Sequence, residues 1–562
     1  MTFRAPVADF QFLLDHVVDY AAVSGTERYA EANPETATAI LLEAGKVAEA
    51  SLAPLQRVGD LEPACLENGV VRTPPGFAEG FQSIAEGGWI GLVADSEFGG
   101  MGLPKVLNTA VLDMFAGACL ALQVNPVLTQ GQIEALEAHG SEEIKALYLP
   151  KLISGEWSGT MNLTEPNAGS DVGALTSKAV ENGDGTYAVT GQKIYISWGD
   201  ADFAGNVCHL VLARLPDAPK GTKGISLFLV PKYIPDAEGN PGKANTLRVA
   251  RLEHKMGLHG SPTAEMIFDG ATGWMVGKPH GGMAAMFTMM NNARLAVAAQ
   301  GIGVAEAAFQ LAGQHAATRK QGKTIIEFAD VRRMLSAMRA DIFAARAIAL
   351  NCAQALDMAD ATGDPAAIAR AAFLTPIAKA FGTEVGIKAS ETGIQVHGGM
   401  GFVEETGAAQ FLRDVRVTAI YEGTNGIQAM DLVGRKLADD GEAAFQLIDQ
   451  IETLSEHLRL ELPDLAGLVW EAAETLREST EWMLAQDMDA RAGGAFPFLM
   501  AFARVLGAEA HLRAAQADRN GPRHRLAALY IKRLLPEHKS LLEEVRAGSS
   551  DLFALSTDEL LA

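Results

Sequence analysis

MNLTEPNAGSD, Met161 to Asp171, marks the place where the character of the chain changes. An apolar run enters it, and a polar, Gly-containing loop follows. From Trp157 to about Met275 the sequence offers short β-rich runs, TYAVTG, NVCHLVLAR, GISLFLVP and TAEMIFDG, separated by the turn clusters NGDG, APKGTKG and DAEGNPG. This predicts a small antiparallel β domain. Upstream, from Thr36 to about Ser154, apolar residues recur at helical spacing, as in Leu107, Ala110, Val111, Met114 and Phe115. Downstream of His280-Gly281-Gly282 helical spacing returns. Met283–Thr318, Val331–Ala359 and Pro365–Thr392 read as long helices and Asn425–Leu437 as the start of a fourth, which suggests a bundle. The expected fold is mainly α with a central β domain: an extension over 1–37, an α domain over 38–156, the β domain over 157–277, the bundle over 278–439 and an added α domain over 440–562. The extension carries Phe10, Phe12, Leu13 and Leu14 and is expected to dock on the body.

The chain has 562 residues with 69 acidic against 46 Lys plus Arg, a formal charge of −23. Nucleic acid and anionic lipid repel such a protein on average. With 48% apolar and 20% charged residues it has material for several cores. Cys65, Cys119, Cys208 and Cys352 are far apart with no CxxC pairing, so neither a disulfide framework nor a zinc motif is expected. The N-terminus has acids where a signal peptide needs an apolar core, and no run of eighteen apolar residues without charge stands out. A cytoplasmic protein without stable membrane insertion follows from this. The 57 glycines exceed an average share of roughly 7%, which points to backbone lying close to a ligand or to many turns.

Four stretches carry chemistry. In MNLTEPNAGSD, backbone N–H groups and the hydroxyls of Thr164 and Ser170 suit an anionic or carbonyl-rich ligand. GQKIYISWGD, Gly191 to Asp200, places Tyr195 and Ser197 near a strand end. QVHGGMGF, Gln395 to Phe402, follows a helix, and its glycines let backbone approach a phosphate or a ring. It is no dinucleotide fingerprint, because no strand precedes it. His397 has no second ligand at metal-binding spacing. In AIYEGTNGIQ, Ala419 to Gln428, Glu422 follows apolar Ile420 and Tyr421. A carboxylate among apolar groups has a raised pKa and suits a general base; an acid here also suits a helix cap. Taken singly, each stretch is an ordinary turn or cap.

In this order, and over a helical, β, helical plan, the motifs TEPNAGSD, YIS, an Arg-containing helix, QVHGGMGF and YEGTNGIQ closely resemble the acyl-CoA dehydrogenase flavoprotein family, from about residue 38 to 440. The resemblance implies FAD and an acyl-CoA thioester held between an α domain, a β domain and a four-helix bundle. It implies that backbone groups of the Met161–Ser170 segment, with Met161, Leu163, Thr164 and Gly169, bind the cofactor, the Thr164 hydroxyl facing the pyrimidine side of the flavin and Ser170 lying at the pyrophosphate and CoA side. Tyr195, Ile196 and Ser197 match the aromatic-Ile-Thr/Ser trio that packs on the flavin. Arg319 matches the pyrophosphate-binding arginine, although the family's Arg-x-x-Phe-Gly here lacks its Phe. Gln395, Gly398 and Gly399 match the loop that receives the adenosine end of FAD from a neighbouring subunit, hence a homodimer or higher oligomer. Asn291 and Arg294 fall where the family places an Asp and an Arg near the thioester, with Asn replacing Asp. Gly423 matches a residue beside the substrate, and Thr424 and Asn425 a pair contacting FAD. Glu422 matches the catalytic base. The implied reaction is α,β-dehydrogenation: Glu422 takes the α proton, a hydride leaves the β carbon for the flavin, and a trans-2-enoyl-CoA forms.

The N-terminal extension and the added C-terminal domain look like a subgroup of larger bacterial members. Straight-chain fatty acyl-CoAs of short, medium or long chain are alternative substrates. Electron-transfer flavoprotein is the expected acceptor; an oxidase would use oxygen instead. Met286, Met289 and Met290 suit an adaptable pocket or, more simply, core packing. A different class, DNA-associated alkylation-response flavoproteins, shares this plan and carries a basic C-terminal surface. Arg519, Arg523, Arg525, Lys532, Arg533 and Lys539 form such a stretch here. Nearby acids favour a solvated helix face, so no nucleic acid partner is expected.

Overall fold

The computed structural model describes residues 3–562 and, at Asn291, the backbone without the side chain. Helices Pro34–Val47, Phe77–Glu86, Lys105–His139 and Glu142–Ile153 form the first layer. Asn33 caps the first of these, its side chain accepting from the Thr36 N–H at 3.0 Å, with Pro34 in the opening turn. The Asn-Pro break is therefore a helix start with a stated cause.

Strands Trp157–Asn162, Lys178–Glu181, Tyr187–Ser197, Asn206–Arg214, Ile225–Pro231, Leu247–Leu252 and Thr263–Val276 form one seven-stranded sheet. Most of its ladders are antiparallel, as expected. Two are not. Trp157–Asn162 runs parallel to Asn206–Arg214, and Lys178 pairs parallel with Arg214. The chain between Asn162 and Asn206 is long enough to return in the same direction, and residue composition does not encode strand direction.

After the sheet come helices Gly282–Thr318, Ala329–Thr362 and Pro365–His397. The fourth element is short: Asn425–Asp431 continues through one π turn, Leu432–Lys436. Small residues set the closest approaches. A methyl group on Gly303 would lie 2.2 Å from the Asp113 carbonyl oxygen, and one on Gly301 2.5 Å from that of Gly382. The Gly282–Thr318 helix thus nearly touches the backbones of Lys105–His139 on one side and Pro365–His397 on the other. Met286 and Met289 are fully buried in this packing.

Lys105–His139, Gly282–Thr318 and Met488–Ala517 have the length and composition to cross a membrane, which the sequence reading did not pick out. Each apolar window is packed inside the protein instead. A helix surrounded by other helices is apolar on all sides for the same reason a membrane span is.

The last segment is helical throughout, with Glu442–Leu458, Pro463–Ala485, Met488–Ala517 and Glu537–Ala547 as its main pieces. The N-terminal helix Val7–His16 buries Phe10 and Leu13 and docks where bundle and C-terminal segment meet. Asp9 is the anchor. It pairs with Arg339 at 2.6 Å, Arg346 at 3.7 Å and Arg523. Arg346 also grips Asp113 through two bonds of 2.9 and 3.0 Å and Glu306 at 2.8 Å. In the basic C-terminal stretch, Arg523 is therefore consumed by Asp9, while Arg519 pairs with Glu461 and Lys532 lies 3.9 Å from Asp464.

Candidate active site

The geometry of the Tyr421–Asn425 loop starts with its backbone. Glu422 and Gly423 are consecutive left-handed residues, φ +55° and +84°. That conformation costs an L-residue roughly 1–2 kcal/mol and persists only where surroundings hold it. Here they do. Lys379, fully buried on the Pro365–His397 helix, donates from Nζ to the Gly423 carbonyl and to Asn425 Oδ1, both at 2.9 Å. Gln428 Nε2 donates to the Glu422 and Gly423 carbonyls at 3.2 and 3.3 Å. Tyr421 donates its hydroxyl to Gln300 Oε1, and Gln300 Nε2 donates to Gln123 Oε1 at 2.8 Å. The loop is thereby tied to three long helices.

Thr424, not Glu422, caps the helix that follows, accepting from the Ile427 N–H at 3.2 Å. The Glu422 carboxyl is free of that duty and of any ion pair among the described residues. Burial pushes it up to about 7, with Arg294 and Lys379 opposing the rise from a distance. The Glu422 N–H has no acceptor within the chain among the described residues. A raised carboxyl and a free N–H beside it can remove a proton and steady a developing oxyanion.

Arg294 is brought to this loop but is not free. Its Nη1 lies 3.2 Å from Asp431 Oδ2, while the other oxygen of Asp431 takes Arg435 at 2.7 Å. The Asn291 side chain lies outside the described residues. Asn425 is turned inward: its amide donates to Glu384 at 2.7 Å and to Thr383 at 3.0 Å. Its side chain therefore braces the loop, a role the motif alone does not distinguish from cofactor contact.

The second group is on the sheet. Tyr195 sits at a bulge between the Ala264 and Met266 pairings, with φ +60° and 63% of its surface exposed. A bulge re-aims a side chain out of the pleat, which is why this aromatic stands open while Ile196 beside it is buried. Ser197 pairs with Thr263 at the strand end. The Met161–Ser170 segment is clamped to the same strand. Lys193 Nζ donates to the Leu163 carbonyl at 3.0 Å and to Glu165 at 2.8 Å, and the Ile194 N–H reaches the Thr164 carbonyl at 2.9 Å. Burial alone would raise Glu165, but Lys193 and the Thr176 and Ser177 donors hold it near 2. The hydroxyls of Thr164 and Ser170 have no partner within the chain among the described residues, and nothing lies within 4 Å of where a Gly169 methyl would be. An exposed aromatic beside free hydroxyls and open backbone fits a flat, acceptor-edged ring such as a flavin.

Arg319 and the Gln395–Gly399 loop form a third group. The His315 and His397 rings stack at 4.4 Å and join the ends of their two helices. Arg319, exposed, ends the first helix; Gln395 is exposed near the end of the second, and Gly398 has φ +62°. No hydrogen bond or ion pair among the described residues joins this group to Tyr195 or Glu422.

Lys379, Gln428, Gln300, Gln123 and Lys193 were not picked out from sequence. Their signal is a polar residue inside an apolar helix or strand, as Lys379 is in PIAKAF, and such residues usually have a partner far along the chain.

The chain matches family models described as acyl-CoA dehydrogenase N-terminal domain over 35–156, middle domain over 160–271 and C-terminal domain over 280–437, and one described as acetyl-CoA dehydrogenase C-terminal like over 445–556. It is 43% identical over 520 residues to 3-methylmercaptopropionyl-CoA dehydrogenase of Ruegeria pomeroyi, covering 89% of this chain and 88% of that one. It is 34% identical over 449 residues to a butyryl-CoA dehydrogenase of Syntrophomonas wolfei, covering 75% and 72%. The crystal structure of Caenorhabditis elegans ACDH-11 in complex with C11-CoA shares the fold, with a TM-score of 0.83 at 21% identity, covering 99% and 96%. Three successive family domains and a relative matched over nearly its whole length agree with the helical, β, helical layers, and the chain belongs to the acyl-CoA dehydrogenase family as an FAD-dependent oxidoreductase.

Proposed function

We propose that Glu422 is the base of this dehydrogenase and that the acyl group is short, with 3-(methylthio)propanoyl-CoA the preferred thioester. The observation that carries the first part is the pair of left-handed residues that presents a carboxyl raised to about 7 beside an unclaimed N–H. The Glu422 carboxylate takes the α proton, and its own unclaimed N–H would receive the thioester oxygen. Bound FAD supplies the two-electron acceptor for the β hydride. Thr164 and Tyr195 would hold and shield the ring, Ser170 would lie toward the pyrophosphate and CoA, and loss of the two C–H bonds leaves a trans-2-enoyl-CoA. The substrate is supported by the relative at 43% identity, and the butyryl-CoA dehydrogenase at 34% makes straight short chains the second reading.

The Arg319 and Gln395–Gly399 group is proposed to complete the cofactor site of a second copy in a homodimer, with Gly423 and Arg294 near the substrate. Electron-transfer flavoprotein is the proposed acceptor, in the cytoplasm. Anaerobic flavin bleaching with a panel of acyl-CoAs, including the methylthio thioester, tests this. The fastest bleaching is expected with the methylthio and C4 thioesters; preference for long chains overturns the substrate. Peroxide release in air marks an oxidase, and salt-sensitive DNA binding without acyl-CoA turnover marks the DNA-associated class.

A further inference from the structure

Lys379 is fully buried, with its ammonium aimed at the inner side of the base loop. It satisfies two acceptors there, the Gly423 carbonyl and Asn425 Oδ1, each at 2.9 Å. Neither bond requires a charge, because a neutral N–H donor at Lys379 Nζ satisfies the same acceptors. A buried ammonium without an ion pair is costly to keep, so its charge calls for a reason other than hydrogen bonding. The groups that face it are Glu422 on the loop, Arg294 on the Gly282–Thr318 helix and Glu384 on its own helix. Arg294 is committed to Asp431, which also holds Arg435, and Tyr421 to Gln300. Glu384 is occupied by the Asn425 amide at 2.7 Å. Among the described residues, Lys379 is thus a cation near Glu422 that no carboxylate neutralises by contact.

We infer that Lys379 is a positioning residue for the base: its ammonium pins the Gly423–Asn425 segment and keeps a positive charge behind the Glu422 carboxylate. This rests on the reading of Glu422 as the base. Burial pulls Lys379 down to about 7 while Glu422 opposes the fall, and burial lifts Glu422 to about 7 while Lys379 opposes the rise. Carboxylate and ammonium therefore favour each other near neutral pH, and the coupling acts without contact, as the Glu422 carboxyl must stay available to the substrate.

The test compares FAD-loaded wild type, E422Q, K379M and K379R. Infrared difference titration follows the Glu422 carboxyl directly, its band identified by its loss in E422Q. In K379M the carboxyl midpoint is expected to rise by about one pH unit, with the flavin spectrum kept and the acidic limb of the bleaching rate displaced by the same amount. K379R is expected to restore most of the midpoint. A K379M midpoint coinciding with wild type overturns the inference whatever happens to the rate. If K379M does not fold, K379Q, which keeps a donor to the loop but no charge, gives the same comparison with the same two outcomes. Wild-type bleaching by E422Q would instead remove Glu422 as the base, and the carboxyl midpoints would still decide whether Lys379 acts on it.

Discussion

Two carboxylates sit among cations in this molecule and are treated in opposite ways. Asp9 touches three guanidiniums, from Arg339, Arg346 and Arg523, so that although burial pushes its carboxyl up, they hold it below the ordinary carboxylate range. Glu422 also has two cations nearby, Arg294 and Lys379, but both are bound to other partners and neither touches it, so burial prevails and its carboxyl rises to about 7. Contact decides the difference. The carboxylate that holds three parts of the chain together is saturated with donors, whereas the one proposed as the base is kept short of them. Asp113 marks the boundary of the rule: Arg346 grips it twice, yet deep burial together with the neighbouring Glu306 and Asp9 leaves it near 6.

The strongest way to break the contrast is at Glu422. E422Q is expected to slow anaerobic flavin bleaching by about 10²–10⁴-fold, the usual worth of a general base, while thermal unfolding at acid pH, where Glu422 is protonated, stays where it is in wild type. The mirror experiment is D9A, which strands Arg523 and leaves Arg339 and Arg346 to their remaining partners Glu306 and Asp113. A broken buried pair costs about 3–5 kcal/mol, so denaturant melts should show a loss of that order, with the bleaching rate of the folded protein unchanged. A fall in rate without a fall in stability would reverse the roles of the two sites.

The pH dependences should also run in opposite senses. Asp9 is lowered by folding, so its stabilisation is complete above about pH 4, the unfolded value, and is lost as pH falls through the lower folded value. Glu422 is raised, so its contribution to stability is present at acid pH and lost as pH rises through about 7. Over that same interval the bleaching rate should rise, because the base must be ionised. An activity limb near pH 4 would mean the carboxyl is not desolvated in the working enzyme.

The smallest expected effect sharpens the loop itself. G423A puts a methyl 2.7 Å from Gln428 Nε2 at φ +84°, and the left-handed strain costs about 1–2 kcal/mol. Because the methyl meets the end of a flexible amide, a modest drop in melting temperature is expected, together with a slower bleaching rate from the displaced carbonyls of Glu422 and Gly423.

The two regions were unequally legible. The loop at Glu422 was visible as Tyr-Glu-Gly-Thr at a helix start, and hydroxyl capping is a local rule: Thr424 lies three residues from the N–H it caps. What the motif did not reveal was that the cap falls on Thr424 and leaves Glu422 free, since either residue type suits a helix start. The docking helix was visible as Phe10, Leu13 and Leu14. Asp9 among them was not, because its partners lie as far away as Arg523, 514 residues along the chain.

Periodicity, turn residues and motif order were enough to place helices, strands and the loops between them, because each depends on neighbours within a few residues. Tertiary structure alone decided which buried polar groups meet. Lys379 reaches Gly423 across 44 residues, Tyr421 reaches Gln300 across 121, and Arg294 reaches Asp431 across 137. It likewise decided that Trp157–Asn162 enters the sheet parallel to its neighbour. The reason is the same in each case: the energy of a buried hydrogen bond or charge depends on the group it meets and on the water excluded around it, and neither is written in the local sequence.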